Sequence, residues 1–541
     1  MKAAPSTAGR NLRLPLKNEP KSLAGQIGRA GAVIMIWSMV DKILAIGKEV
    51  LTAKRFGISA PLDVFNLAYS FPGTIVLFSG VLGAAFVPLY VEWRNRSYLE
   101  ADSHATWLIY STTLLFTVLA LLCFVFTPEI IQLIGYGFQP WERQLAVTME
   151  RILILLIVID GAGILFRGIL HARKLFSHLY IAPLFVNIAI IFLLLFDMRL
   201  DIYLLVWGLL IGTLMKTFYM GIVLYRTGFQ YGTPQPFDHQ KMKAFWLLTI
   251  PMLGNALIAN SNVMIDQVMA TQLPTGSIST LRYAARINEF PIQVVITAVS
   301  MAIFPFISEE AAAGNKENLK GIFKYSLIFL GFLTIPITCL VVLFSEDLVI
   351  LLLKRGAFDM EAARLTAQIL VCYSLGLFFY GYTFINGSFF AALKNTKALF
   401  YMGIASIFLN VFFNLLFMHL IGVRGIALST SFTMFIISIY FIYLLKRSLG
   451  MSDLSEIFSS FCRMIIAAAC MLGTGFLSLR LFQMVTTERW IYLPITLMLV
   501  CLTYLGIVWI FRTEDLNACW EAFARMLRTL VMSKNTDRAQ N

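Results

Sequence analysis

Windows of about 20 consecutive apolar residues, the length an α-helix needs to cross roughly 30 Å of hydrocarbon, recur along nearly the whole sequence. A bilayer core offers no water to the backbone, so each window must satisfy its own N–H and C=O groups as a helix. About fourteen windows meet the criterion. They run over 28–50, 64–91, 105–127, 146–170, 175–197, 202–225, 244–271, 284–308, 323–345, 362–392, 397–420, 423–445, 461–483 and 490–511. Of the 541 residues, 59% are hydrophobic and 13% charged, and the mean hydropathy is +0.77; soluble domains carry about 25% charged residues. The fold class is therefore an all-α polytopic membrane protein of about 14 transmembrane helices.

An even number of crossings places both termini on one side of the membrane. Lys2, Arg10, Arg13, Lys17 and Lys21 precede the first window, and Arg525, Arg528, Lys534 and Arg538 follow the last. Basic residues favour the cytoplasm, so both ends are expected there. Loops on that side contain Arg94, Arg96, Arg173, Lys174, Lys241, Lys243, Lys316, Lys320, Lys324, Lys394, Lys397, Lys446 and Arg447. Topology and anionic lipid thus account for the net charge of +13 without nucleic acid. The basic opening stretch has no apolar h-region or A-x-A site and reads as a cytoplasmic tail. Seven cysteines without a CxxC and five scattered histidines suggest neither a disulfide framework nor a metal site. Walker A, dinucleotide and GxSxG patterns are absent, which argues against an ATPase or hydrolase.

Two regions share a pattern. NLAYSFPGTIVLFSGVLGAAFVPLYVEW begins at Asn66, and YAARINEFPIQVVITAVSMAIFPFISEE begins at Tyr283. Phe-Pro stands early in each (Phe71-Pro72 and Phe290-Pro291), and Phe and Pro return near the exit (Phe86 and Pro88; Phe304 and Pro305). Kinks alone would explain one such pair; two in matching context favour duplication. Six crossings per copy keep the copies in the same orientation, a parallel repeat with its pseudo-two-fold axis along the membrane normal. The chain then divides into a basic tail (1–27), a six-helix lobe (28–226), a cytoplasmic linker (227–243), a second six-helix lobe (244–447), an added helix pair (448–511) and a cytoplasmic amphipathic helix and tail (512–541). Proteins so built bind substrate between the lobes and rock them to alternate access.

The stretch VDKILAIGKEV puts Asp41, Lys42, Lys48 and Glu49 inside the first window, within a sector of about 120°. Each costs about 2.5–3.5 kcal/mol at the bilayer centre, so the four are expected to face a cavity or other helices. Pairing along the helix needs opposite charges three or four positions apart. Here Asp41 and Lys48, like Lys42 and Glu49, are seven apart, so partners are expected from elsewhere. The eighth window offers Arg282, Arg286 and Glu289 on one stripe; Arg286 can pair with Glu289, and the two arginines repel unless an anion bridges them. Arg282 could also snorkel to the headgroups. Asn255, Asn260, Asn262, Asp266 and Gln267 crowd the seventh window, as a pathway lining or as bonds across helices. Asp160, Arg151, Arg167 and Lys216 each read as interhelical partners.

These features together resemble the MurJ/MviN family of lipid II flippases, in the multidrug/oligosaccharidyl-lipid/polysaccharide exporter superfamily, from about residue 30 to residue 450. DKILAIGKEVLTAKRFGISAPLDVFNLAYSFP is similar to the family's opening signature, with its Phe-Gly turn at Phe56-Gly57 and its acidic residue at Asp63. The family's two first-helix arginines fall on Lys42 and Lys48, keeping charge without the bidentate fork. TGSISTLRYAARINEFPIQVV follows the helix-eight motif, with Arg286, Glu289 and Pro291 in place. KRGAFDMEAARLTAQIL, FFAALKNTK and LNVFFNLLFMHLIGVRGIALSTS continue the likeness. The chain departs after Pro72: Gly73, Thr74, Ile75, Val76 and Leu77 stand where the family has asparagine and then an arginine pair. Arg282 has no matching arginine in the motif.

The resemblance implies a transporter, not an enzyme, of the bacterial inner membrane, moving an undecaprenyl-pyrophosphate-linked glycan, lipid II first, to the outer face. Lys42, Lys48, Arg282 and Arg286 are the expected substrate contacts; Asp41, Asp63, Asp266 and Glu289 the gating and coupling residues. No cofactor is called for, and the energy source is left open between membrane potential and an ion gradient. Expected partners are the lipid-linked glycan, membrane lipids and cell-wall synthesis proteins. The helix pair over 448–511 is implied to form a groove for the prenyl tail. Residues 516–530 place Leu516, Trp520, Phe523, Leu527 and Leu530 on one face, as an interfacial amphipathic helix or a partner-binding one. A flippase for O-antigen, capsule or exopolysaccharide units is the alternative transporter. A drug antiporter fits less well, since a cationic cavity repels cationic drugs, and a non-transporting scaffold for cell-wall enzymes is the alternative of another class.

Overall fold

The computed structural model describes residues 23–196, 201–231, 245–247, 249, 261–451, 455–485 and 489–511. Within them the chain is helical, with no strand. The N-terminal half comprises α1 (Leu23–Phe56), α2 (Ala60–Arg96), α3 (Tyr98–Val125), the short α4 (Thr127–Ile134), α5 (Pro140–Leu153), α6 (Leu155–Ala172), α7 (Phe176–Ile181), α8 (Leu184–Leu195) and α9 (Tyr203–Arg226). The C-terminal half comprises α10 (261–270), α11 (Ser277–Pro291), α12 (Thr297–Ala313), α13 (Lys316–Leu353), α14 (Met360–Ser374), α15 (Leu377–Ala392), α16 (Thr396–Ile421) and α17 (Val423–Leu449). α18 (Ser455–Val485) and α19 (Arg489–Ile510) follow as a pair.

Among the described residues, eleven helices are long and apolar enough to cross a membrane, and twelve if α14 and α15, bent by 43°, make one span. The fourteen windows differ from this in two places. α1, with its four internal charges, is not among the eleven, and the middle of the seventh window, residues 250–260, lies outside the described residues. Residues 1–22 of the basic tail, Asn255, Asn260, most of the inter-lobe linker and the amphipathic stretch 516–530 also lie outside them, while residues 23–27 begin α1.

Duplication is visible in backbone geometry. A glycine of positive φ precedes each copy, Gly57 at 57° and Gly276 at 91°, with the same separation as Pro72 and Pro291. The spans that follow, Ala60–Arg96 and Ser277–Ala313, each have 37 residues. α2 runs on through Pro72 and Pro88. In the second copy Pro291, which cannot donate a backbone hydrogen bond, leads into a π-helical turn over Ile292–Ile296 before α12 resumes.

The apolar packing differs between the two ends of the molecule. Where α1 ends and α2 and α11 begin, one core draws on both halves: Ala53, Phe65, Leu67 and Ile131 pack with Ile278, Tyr283, Leu353 and Phe358. Toward the other end each half keeps its own core, Phe86, Tyr90 and Trp93 with Leu108 and Leu165 in the first, Phe323, Leu330 and Tyr382 with Phe389 and Phe441 in the second. The halves are therefore joined at one end and separately packed at the other. α18 and α19 lie against α13, where Met464, Ala467, Met471 and Tyr504 meet Ile328 and Phe332.

Candidate functional site

The charges of α1 are distributed among three neighbours. Asp41 Oδ1 accepts from Asn187 Nδ2 on α8 at 2.9 Å, a partner from another helix as expected. Lys48 Nζ lies 3.2 Å from Glu49 Oε1, which corrects the expectation that no pairing occurs along the helix. Adjacent residues point about 100° apart, so the spacing rule excludes them. A long lysine and a glutamate nonetheless close that angle because they share the same axial level. Glu49 is buried, and lies within electrostatic reach of both Arg282 and Arg286 on α11. Lys42 is half-buried and has no hydrogen bond or ion pair among the described residues.

Asp63 joins the two halves. It is buried in the first turn of α2, and its Oδ2 accepts the backbone N–H of Gly276 at 2.6 Å. Oδ1 accepts both the N–H of Ser279 at 2.7 Å and its hydroxyl at 2.5 Å. α11 begins at Gly276 without a side-chain cap of its own; a carboxylate from the opposite half satisfies the orphan donors and the positive end of the helix. Asn66, one turn along α2, accepts Arg282 Nη1 at 2.7 Å and donates to Ser279 Oγ at 3.4 Å. The Ala357 N–H donates to Lys54 O at 2.8 Å, and the Tyr283 hydroxyl to Gly57 O at 3.3 Å.

Glycines make this approach possible. A Cβ on Gly57 would stand 2.4 Å from Ala357 O, on Gly356 2.3 Å from Lys54 O, on Gly276 2.7 Å from Ile58 O, and on Gly137 2.3 Å from Thr271 O. Each contact crosses between the halves. The backbone itself thus forms a seal at the joined end.

Just inside the seal is a cavity of about 160 Å³. Lys48, Glu49, Thr52, Asn66, Tyr69, Ser279, Arg282 and Tyr283 supply its polar wall, and Leu62, Phe65, Val186, Ile190, Leu205 and Leu209 its apolar one. Lys48 and Arg282, drawn from opposite halves, are therefore brought together. Arg282 is oriented by Asn66 and lies 5.8 Å over the Tyr69 ring. Arg286 does not line this cavity; its Nη1 is 2.7 Å from Glu289 Oε2, the expected pair, and both remain partly exposed. The cavity can hold an anionic group between a primary ammonium and a guanidinium.

Asp266 lies apart, in a buried cluster within the C-terminal half. Its Oδ1 accepts Asn414 Nδ2 at 2.7 Å and its Oδ2 the Thr430 hydroxyl at 3.2 Å, and Asn414 Nδ2 also reaches Asn410 Oδ1 at 3.2 Å. Among the described residues no three His, Cys, Asp or Glu side chains converge as metal ligands. Asp160 on α6 and Lys216 on α9 form a buried ion pair, the interhelical role expected of them. Past the end of α6, Arg173 binds Asp102 through both carboxylate oxygens, at 2.7 and 2.9 Å, and Tyr90 Oη at 3.0 Å. Burial opposes the Arg173 charge, but Tyr90 and Asp102 outweigh it and raise its pKa.

Asn66, Ser279 and Asn414 are the site residues that spacing arguments missed, whereas Glu49 lines the cavity as one of the four charges expected to face one. A signal for Ser279 existed in the sequence: Thr-Gly-Ser-Ile-Ser opens a helix with no acidic residue in its first turn, so an acid from elsewhere was needed.

Three comparisons bear on this arrangement. The family model described as "Lipid II flippase MurJ" matches residues 52–495. A relative from Borreliella burgdorferi, named "Probable lipid II flippase MurJ", is 25% identical over 439 residues, which are 80% of this chain and 86% of the relative. A solved lipid II flippase MurJ in an inward closed conformation superposes with a TM-score of 0.74 at 26% identity, over 89% of this chain and 98% of that one. An inward-facing transporter of the multidrug MATE family shares the fold at a TM-score of 0.67 and 13% identity, over 78% of this chain and all of that one.

Proposed function

Because this chain belongs to the MurJ lipid II flippase family, we propose that it carries lipid II across the membrane by alternating access. The prenyl tail stays in lipid while the pyrophosphate and its sugars pass between the halves. The observation that carries this reading is the cavity where Lys48 and Arg282 converge from opposite halves, with Arg286 one turn further along α11. The sealed end is the outer one if both termini are cytoplasmic, as the basic flanks favour. This conformation then receives substrate from inside, and opening the seal delivers it outside. The substrate leaves as it entered, with no bond made or broken.

Asp266 is the coupling residue of this reading: a buried carboxylate that accepts from the Asn414 amide N–H and the Thr430 hydroxyl suits a proton whose uptake and release accompany lobe movement. The helix pair α18 and α19 guides the prenyl tail, supported by the exposed Ile465, Phe476, Leu477 and Leu481. The test is restoration of lipid II translocation in cells depleted of their own flippase. Full restoration is expected, and failure of a normally inserted protein would overturn the assignment. One feature favours a second reading, a flippase for another polyprenyl-linked glycan. α2 presents Val76 and Leu77, the latter exposed, where the family pattern has an arginine pair. Movement of an O-antigen or capsule unit in place of lipid II would select it.

A further inference from the structure

Arg282 belongs to the seal and to the cavity at once. Its guanidinium sits on α11 in the C-terminal half, yet the groups around it come from the N-terminal half: Asn66 Oδ1 at 2.7 Å, the Tyr69 ring at 5.8 Å, and Glu49 within electrostatic reach. From it a directed chain of hydrogen bonds runs back through the seal. Arg282 donates to Asn66, Asn66 to Ser279 Oγ, and Ser279 Oγ to Asp63, whose second oxygen holds the N–H of Gly276. Every link passes from one half to the other. The same side chain lines the cavity opposite Lys48.

The partner that Arg282 has in the seal is weaker than the one a substrate would offer. A guanidinium fork bonds one amide oxygen at Asn66, whereas two phosphate oxygens accept both its prongs with full charge assistance. A ligand shifts a conformational equilibrium only by its differential affinity for the two states. An anion that binds Arg282 best once Asn66 has let go has that differential affinity built in. Arg286 cannot serve the same end, since Glu289 holds it outside the seal.

We propose that Arg282 is the positioning residue that couples substrate to gate: a polyprenyl-linked pyrophosphate, entering beside Lys48, draws Arg282 off Asn66 and so releases the chain of bonds that closes the seal. This rests on the flippase reading above and adds to it the trigger for opening. The ligand chemistry is a pyrophosphate. A single phosphate, with one fewer group to bridge Lys48 and Arg282, opens the seal less.

Ile278, buried within the seal at 1% exposure, supplies a reporter as Ile278→Cys, read by its reaction with a membrane-impermeant maleimide over the background of the native cysteines. The full-length protein in liposomes is given undecaprenyl pyrophosphate, undecaprenyl phosphate or undecaprenol, with binding followed separately by thermal shift. Undecaprenyl pyrophosphate is expected to accelerate labelling about tenfold or more, the scale of one charge-assisted hydrogen bond, with a smaller effect from the monophosphate and none from the alcohol. Arg282→Gln is expected to label faster without ligand and to lose the pyrophosphate response. Asn66→Ala, which leaves the arginine in place, is expected to label faster and keep the response. Arg282→Gln that labels faster yet still responds would reduce Arg282 to a strut and overturn the coupling. So would Asn66→Ala without effect, or parent protein that binds the pyrophosphate lipid without labelling faster. Absence of binding by the parent would overturn the flippase reading itself, and the coupling with it.

Discussion

Replacing Gly137 by alanine asks the seal to accommodate a methyl group for which it has no room. Gly137 precedes α5 in the N-terminal half, and its φ lies outside the left-handed region, so alanine brings no backbone strain of its own. The added Cβ would stand 2.3 Å from Thr271 O and 2.7 Å from Gln272 N, in the opposite half. Real Cβ contacts are essentially never below 3.0 Å, so the halves must part by at least the difference. Parting also stretches the bond from Gly137 N–H to Thr271 Oγ1, 3.2 Å long. Overpacking costs about 1–3 kcal/mol and a neutral hydrogen bond contributes about 0.5–1.5 kcal/mol. Together these amount to about 1.5–4.5 kcal/mol against the closed state, a rise of about tenfold to roughly a thousandfold in the open fraction. Ile278→Cys labelling reads that rise. Gly473→Ala in α18, where nothing lies within 4 Å of the new methyl, is the control and leaves labelling unchanged. If Gly137→Ala labels like its parent and unfolds at the same temperature, the halves do not meet at Thr271 and the reasoning is refuted.

Other outcomes follow from the same geometry. Lys48→Arg is expected to sustain transport, while Lys48→Ala strands the buried Glu49 and lowers the melting temperature of the purified protein as well as its transport, a loss that adding Glu49→Gln restores in stability only. Removing one member of the buried Asp160–Lys216 pair, as in Lys216→Met, costs about 3–5 kcal/mol, whereas the double change Asp160→Leu with Lys216→Met stays near the parent in thermal unfolding. Asp266→Asn keeps the size of the side chain and is expected to fold, but to abolish the dependence of transport on an imposed ion gradient; transport that responds to the gradient as before would remove Asp266 from coupling. Asp102→Asn is expected to loosen the turn held by Arg173, seen as faster amide exchange at Gln230, whose N–H donates to Asp102 Oδ2 at 3.1 Å.

How far the sequence could be read depends on the range of each interaction. Helical periods and span lengths are local, so all but two of the fourteen windows correspond to spans in the structure. The repeat was legible because the Phe-Pro pair recurs, at Phe71-Pro72 and Phe290-Pro291, in identity as well as position. Asp41 was correctly expected to need a partner, but nothing in the sequence pointed to Asn187, 146 residues away. The Lys48–Glu49 pair was excluded by a rule of helix spacing that holds for short side chains better than for long ones. Asp63 was legible as an acid beside a turn; that it caps α11 depends on how two halves meet, and no local pattern encodes that. The same holds for Gly57, Gly137, Gly276 and Gly356. Each reads alone as a turn residue, and only their opposition across the halves makes them a seal.

The most direct test of the whole account is headgroup accessibility of fluorescent lipid II in liposomes containing the purified protein. The account expects the label to exchange between leaflets with the parent, and to stay in one leaflet with Arg286→Ala or Arg282→Gln inserted to the same extent. Exchange at the parental rate in both variants, or none with the parent while it binds lipid II, would contradict a cationic path between the halves.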